Sequence, residues 1–388
     1  MSTKQNNKIL PQNTAPHLPR GGISVFLAVV IVLQLLFFLL HFMIYETLFA
    51  AFGIGGTWLA VLLFLLSLTF VAASLIAAKW KGFAVRLFYR VAGTWFAFVG
   101  PLCGACFGFV VIEDLFPFAG IVLTPSLAGY ISFGVAAAVA SYGIWNNIRI
   151  QVTRVQVSLP NLPAFWSGKK IVFISDIHLG DLWGRGTAEK IVRITNRLAP
   201  EAVFIGGDLF DGVKCDVDDL LSPFSLLRSP FGTYAITGNH EYIRDAEVFI
   251  SAIRRSNIKL LTMEKIDLNG LQVIGIDYKH VEKRESFAAA LRGLPIDKSQ
   301  PSILLKHVPE FLGAAADTGI SLALCGHTHH GQFWPISLIT RRVYAGYDYG
   351  LKKNKDMLVY TSSGVGGWMA PFRFGTRSEI VEITLIKR

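Results

Sequence analysis

Up to about position 150 the apolar residues run together in four long stretches; beyond it they come in short runs separated by polar, glycine-containing turns. The long stretches are Gly22 to Tyr45, Gly55 to Ala78, Val91 to Val111 and Ile121 to Trp145. A helix needs about 20 apolar residues to cross the hydrocarbon layer, so each stretch predicts a membrane-spanning helix. The expected division is a tail over 1–21, a four-helix membrane region over 22–148 and a further domain over 149–388.

That domain opens with "VTRVQVSLPNLP", whose alternation predicts a strand ended by Pro160 and Pro163. Five short apolar runs follow, each with a metal-capable residue just past its end. "KIVFISDIH" ends in Asp176 and His178, "EAVFIGGDLFD" in Asp208 with Asp211 three residues on, and "TYAITGNHE" in Asn239 and His240. "SILLKHVPE" brings His307, and "SLALCGHTH" brings His327 and His329. Such runs fit buried strands, and helical patterns at Thr187 to Leu198 and Ala246 to Arg255 lie between them, which predicts an α/β domain. In open α/β folds the carboxyl edge of the strands is where sites form. Any one of these histidines alone reads as a core residue; core packing gives no reason for the same placement five times over.

Composition agrees with a membrane region: 52% of the residues are hydrophobic and 16% charged. Lys4, Lys8 and Arg20 precede the first stretch, Lys79, Lys81, Arg86 and Arg90 follow the second, and Arg149 and Arg154 follow the fourth. The first and third connections hold only Glu46, Glu113 and Asp114. Positive-inside bias then predicts a multi-pass protein of the inner (cytoplasmic) membrane, with tail and domain both cytoplasmic. The alternative is a cleaved signal sequence and an exported domain, with Pro125 breaking the fourth stretch. A signal core of about 7 to 15 residues is far shorter than the first stretch.

The net charge of +10 divides evenly at residue 150, without a basic stripe, so nucleic acid gets no support as a partner. An anionic substrate or an anionic lipid surface is compatible with it. Cys103 and Cys106 in "PLCGAC" read as small-residue helix packing rather than a redox pair, and Cys215 and Cys325 are isolated. No phosphate-binding glycine loop, dinucleotide fingerprint or nucleophile elbow occurs.

The ligand candidates are nitrogen and oxygen donors without thiolate, which suits manganese, iron or zinc in open coordination. They are too many for one tetrahedral ion and divide between two ions that share a carboxylate. The succession D-x-H, G-D-x-x-D, G-N-H-E, a lone histidine and G-H-x-H resembles the calcineurin-like metallophosphoesterase superfamily, over nearly all of 165–388. The extended forms "ISDIHLG", "GNHEY", "GHTHHGQ" and "GVGGWMAPFRFGTRSEI" look most like its bacterial membrane-associated branch, some of whose members act on phosphodiesters or on UDP-2,3-diacylglucosamine.

The resemblance implies a sandwich of two mixed β-sheets flanked by helices and two divalent or trivalent ions, Mn, Fe or Zn. It implies that Asp176, His178 and His329 hold the first ion, that Asn239, His307 and His327 hold the second, and that Asp208 bridges them. The implied reaction is hydrolysis of a phosphodiester or pyrophosphate bond by water activated at the metal pair. His240 is expected to protonate the leaving group or to donate to a phosphate oxygen, and Asp211 to orient an imidazole. Arg373 is expected either to clamp the substrate phosphate or to be a surface arginine. His330 stands where relatives commonly have glycine and is expected to be exposed or to touch substrate; His280 reads as a loop residue.

The expected partners are the lipid bilayer and an anionic phosphate-containing substrate, with no obligate protein partner implied. Four spans exceed what an anchor needs and favour a lipid-linked substrate over a soluble nucleotide or small ester. A non-catalytic scaffold is opposed by the complete ligand set. A transporter is opposed by the placement of His41, Glu46, Glu113 and Asp114 at span ends.

Overall fold

The computed structural model describes residues 20–211, 215–243, 246–280 and 283–388. The tail expected over 1–21 lies almost wholly outside them. Four long helices come first: α1 Arg20–Phe52, α2 Thr57–Lys79, α3 Phe83–Leu115 and α4 Pro125–Ile148. All four are long and apolar enough to cross a membrane.

The helices reach past the expected stretches, so Glu46 lies inside α1 and Glu113 and Asp114 lie inside α3 rather than in connections. Helix α3 begins at Phe83, so Arg86 and Arg90 belong to its first turns rather than to a loop. Long basic side chains at a span end keep their heads in water while their stems lie along the helix, so the helix runs through them. Pro125 starts α4 instead of breaking it: Thr124 caps the helix by accepting from Leu127 N at 3.3 Å, and proline fits a first turn because its missing N–H has no partner there.

Strand β1, Ile150–Leu159, follows α4 after one residue. Then come β2 Lys170–Ile174, α5 Arg185–Leu198, β3 Ala202–Ile205, α6 Val217–Leu221, β4 Thr233–Ala235, α7 Ala246–Arg255 and β5 Ile258–Leu260. The second half holds β6 Glu264–Leu268, β7 Leu271–Ile276, α8 Arg284–Gly293, β8 Ser302–Lys306, α9 Leu312–Asp317 and β9 Leu322–Cys325. It ends in α10 Ile336–Val343, β10 Gly350–Asn354, β11 Met357–Thr361 and β12 Ser378–Lys387.

One sheet has the order β1-β12-β2-β3-β4-β5, the other β10-β11-β9-β8-β7-β6. Both are mixed: β12 is parallel to β1 and antiparallel to β2, and β2 to β5 run parallel. The domain is thus an α/β sandwich of two mixed sheets flanked by helices. Alternation along each strand divides its side chains between two layers. Ile171, Phe173, Ala202 and Phe204 meet Val273, Ile303, Leu305 and Leu324 between the sheets. Val172, Ile174, Val203 and Ile205 face the other way, against Ala188 and Ile191 of α5 and Phe249 of α7. A fully buried Phe173 contributes about 1.5–3 kcal/mol, which is why the middles of these strands are apolar.

The domain is seated on the ends of the spans. Ala370 and Phe372 pack with Ala97 and Phe96 of α3 and Val139 and Ile144 of α4, and Leu182 packs against Ala73, Ala77 and Tyr89. Polar contacts fix the seat: Asn146 Nδ2 donates to Arg373 O and Thr376 O at 3.0 and 2.7 Å, and Arg90 Nε to Asp181 O at 2.9 Å.

Candidate metal centre

β2, β3, β4, β8 and β9 all point their carboxyl ends at one place, where the loops after them converge. Asp176 and His178 follow β2, Asp208 follows β3, Asn239 and His240 follow β4, His307 follows β8, and His327 and His329 follow β9. Ligand atoms of Asp176, His178 and His329 lie within 4.8 Å of one another, as do those of Asp208, His307 and His327. His178, Asp208 and His240 form a third such group that overlaps the first two. Asp208 sits between the sets: its Oδ2 is 3.2 Å from His307 Nε2 and 3.9 Å from His178 Nε2. Asn239 Oδ1 is 3.1 Å from His307 Nε2. The structure therefore brings all seven expected ligands together, in two His/Asp clusters that can each coordinate a metal ion.

The backbone is bent to do this. Asp176, His178, Asp208, His327 and His329 all have φ between 48 and 71°, a left-handed conformation that costs a non-glycine residue roughly 1–2 kcal/mol. Interloop bonds hold it: Asp176 N donates to Gly207 O at 3.1 Å, and His178 N to Asp208 O at 3.0 Å. Close approach needs glycine too, since a β-carbon on Gly238 would come within 2.1 Å of Asp208 Oδ1.

The donors fit a cation. Gly206 O lies 2.8 Å from His307 Nδ1, which turns the ring's Nε2 toward Asp208 and Asn239. His178 Nε2 and His329 Nε2 lie 3.0 Å apart, both aimed at one point. Burial, helped by the charge on His307, pulls His327 down to about 3, and burial with His178 and Arg373 holds His329 well below the usual histidine range. Both imidazoles are therefore neutral and free to coordinate. Burial works against the Asp208 carboxylate, yet His307, His178 and His240 outweigh it and keep it ionised. Burial likewise lowers His307, but Asp208 and Asp176 raise it to about 9, so the centre favours positive charge.

Around the ligands, Asp211 Oδ1 lies 3.2 Å from His178 Nδ1, close but without hydrogen-bond alignment, and 3.5 Å from His240 Nδ1. The His240 ring stands edge-on to His178 at 4.5 Å, and its backbone N–H donates to Asp208 Oδ1 at 2.9 Å. His330 is half-buried, stacked on Tyr349 at 4.4 Å. His280 falls in a short turn after β7.

Arg373 is fully buried, so it is not the surface arginine of one expectation; its two Nη groups meet protein acceptors, and its Nε has no protein partner. It donates to Ser363 O at 2.7 Å, Gly366 O at 2.5 Å and His329 O at 3.3 Å, and its Nη2 lies 3.3 Å from His329 Nδ1. A buried arginine needs several acceptors, and the turn Ser363–Gly366 supplies them as carbonyls that no sequence motif advertises.

Glu241 was visible in "GNHE" without an evident role. It is fully buried and accepts from Asp208 N at 3.1 Å, Phe210 N at 3.0 Å and Gly238 N at 2.7 Å, clamping the loops after β3 and β4 together. The signal was there: a carboxylate beside glycines and ligands in a strand-end turn is placed to accept backbone N–H groups.

A two-sheet sandwich with two neighbouring His/Asp clusters at its strand ends is the fold of a metallophosphoesterase and is consistent with hydrolase activity. Residues 169–331 match the Calcineurin-like phosphoesterase family, and the chain carries a calcineurin-like metallophosphoesterase domain fused to apolar helices. An "Uncharacterized metallophosphoesterase" of Helicobacter pylori is 34% identical over 228 residues, covering 56% of this chain and 60% of that protein. A "Transmembrane protein with metallophosphoesterase domain" of Danio rerio is 30% identical over 274 residues, covering 65% and 61%. An "Uncharacterized metallophosphoesterase" of Aquifex aeolicus is 27% identical over 256 residues, covering 65% and 97%. The chain thus spans about three-fifths of the length of the first two relatives.

Proposed function

We propose that this chain is a membrane-anchored two-metal phosphoesterase that hydrolyses a phosphodiester or pyrophosphate bond in a lipid-linked or amphiphilic substrate at the cytoplasmic face. Residues 1–21 are then a cytoplasmic tail, 22–148 the membrane region and 149–388 the catalytic domain. The observation that carries the reading is the wedge of Ala370 and Phe372 between α3 and α4, adjoining the arginine that touches His329. It fixes the metal centre against the ends of the spans, where an amphiphile presents its head group. Assignment to a bacterial membrane-associated branch draws support from the Helicobacter and Aquifex likenesses and is narrower than the domain itself, since the Danio rerio protein matches over a similar stretch.

In this reading Asp176, His178 and His329 hold one ion, Asn239, His307 and His327 the other, and Asp208 both. When bound, the ions (Mn, Fe or Zn) supply positive charge at the phosphoryl oxygens and lower the pKa of a water to around 7. His240, with Nδ1 turned to Asp211, offers Nε2 to a phosphate oxygen or to the leaving oxygen. Asp211, whose backbone O lies 3.3 Å from His240 Nδ1, orients His240, and Arg373 holds His329 and the Ser363–Gly366 turn in place instead of clamping the substrate.

The test is hydrolysis by detergent-solubilised protein, stripped of metal and resupplied with manganese, zinc or iron, beside an Asp208→Asn variant. Bis(p-nitrophenyl) phosphate, p-nitrophenyl phosphate and UDP-2,3-diacylglucosamine form the panel. The expected result is metal-dependent cleavage lost in the variant, with preference for the lipid nucleotide. Preference for a small ester would move the substrate to a soluble compound, and no cleavage with any metal by folded protein would leave a binding scaffold.

A further inference from the structure

Helix α10 is built inside out for a soluble surface. Ser337 and Thr340 are its partly buried positions, and they face the domain together with Tyr344, the residue just past its end. Leu338, Ile339 and Val343 point away and are 58, 57 and 67% exposed, and no residue of the helix is buried. A surface helix in water puts its apolar stripe inward, so this arrangement needs something apolar outside. Arg341 and Arg342 lie among these apolar positions, as on helices that rest in a lipid interface with basic heads among the phosphates.

What lies outside follows from where the helix is attached. Phe333, three residues before it, packs on Phe372 at 5.8 Å and on the cluster shared with Ala97, Val139 and Ile144 of the spans. Trp334, 59% exposed, donates its N–H to Phe374 O at 2.8 Å, and Phe374 meets Tyr142 of α4 at 6.1 Å. Phe372 abuts Gly143, five residues before the end of α4, so the wedge reaches about 7.5 Å up the helix axis from Ile148. Exposed Tyr142 and Trp145 on the same turns are aromatic residues of the kind that gather at a membrane interface. The apolar face of α10 therefore continues the face by which the domain meets the membrane region.

We propose that α10 is an interfacial helix, its Leu338–Ile339–Val343 face lying in the surface of the bilayer that α1 to α4 cross. The helix is tied to the metal centre at both ends. A β-carbon on Gly331 would come within 2.5 Å of Ser337 N, which seats the first turn against the loop of His329, and the Tyr344 ring stands edge-on to His327 at 6.2 Å. A helix resting in the head groups then holds the metal centre beside them. The proposal rests on the spanning reading of α1 to α4 and not on hydrolysis.

The test uses the full chain in vesicles of phosphatidylcholine and phosphatidylglycerol, with photoreactive benzoylphenylalanine in place of Ile339, of Leu65 in α2, or of Lys298 before β8. After illumination, mass spectrometry reads which molecule is attached. Lipid adducts at 339 and 65, and none at 298, are the expected result. Lipid adducts at 65 with none at 339 would put the face in water. Adducts from 339 to a second copy, or to another part of the same chain, would mean that protein covers it. Either outcome overturns the proposal, and absence of lipid adducts at 65 would overturn the spanning reading and the proposal together.

Discussion

A β-carbon on Gly143 of α4 would lie 2.1 Å from the Phe372 ring, and Gly143 O accepts the Arg373 N–H at 3.0 Å. The last turns of α4 and the loop beside the candidate ligand His329 are thus in direct contact. Gly143→Ala must push Phe372 aside, and overpacking of this kind costs about 1–3 kcal/mol. We expect a lower melting temperature and weaker metal-supported hydrolysis, whereas Gly134→Ala, with nothing within 4 Å, changes neither. Equal behaviour of the two variants in melting and activity assays would disprove the coupling.

Arg373→Lys keeps a charge but loses the fork that reaches Ser363 O, Gly366 O and His329 O together. Partners that orient a ligand are typically worth about 10–100-fold in metal affinity. The expected outcome is a loss of that size in metal titrations, with activity largely recovered at high metal concentration. Unchanged metal affinity with a raised KM would instead return Arg373 to the substrate.

Glu241→Ala leaves the buried N–H groups of Asp208, Phe210 and Gly238 without an acceptor, at about 1–3 kcal/mol for each buried group unmade. Thermal unfolding in detergent should show a large drop for Glu241→Ala and a smaller one for Glu241→Gln, which keeps an acceptor oxygen. A neutral alanine variant would remove Glu241 from the framework of the site.

Burial, with Asp181 adding to it, pushes the Cys215 thiol up to about 12. Only the thiolate alkylates, so a raised pKa means a smaller reactive fraction at every pH below it. Iodoacetamide should label Cys215 slowly at pH 8, and the rate should climb about tenfold per pH unit well past the range where an ordinary cysteine levels off, near its pKa of about 8.5. A plateau near pH 9, read by peptide mapping, would contradict this.

The strands that lead to the candidate ligands were legible because both their faces are buried: β2, β3, β8 and β9 are apolar runs, apart from the end positions Lys170, Ser302 and Lys306. Their turns were legible because metal-binding side chains and glycines recur at fixed offsets. The hairpin of β6 and β7 leaves a weaker mark, the Asn269 and Gly270 pair with φ of 53 and 82°, which is a turn signal and carries no chemistry. The carbonyl contacts of Arg373 were not legible, since whether an arginine faces substrate or holds a loop depends on carbonyls that any residue could provide. The outward apolar face of α10 was hidden by the same logic: "ISLITRRV" has a helical pattern, but only the fold says which side meets the domain.

The place of β12 bears on how the molecule is made. β12 lies between β1 and β2, so the first sheet cannot close until Ser378–Lys387 has left the ribosome. By then α1 to α4 have been synthesised and β1 hangs directly from the last of them. Without β12, β1 and β2 have no strand between them, and β12 is the strand that joins the two parts of the sheet.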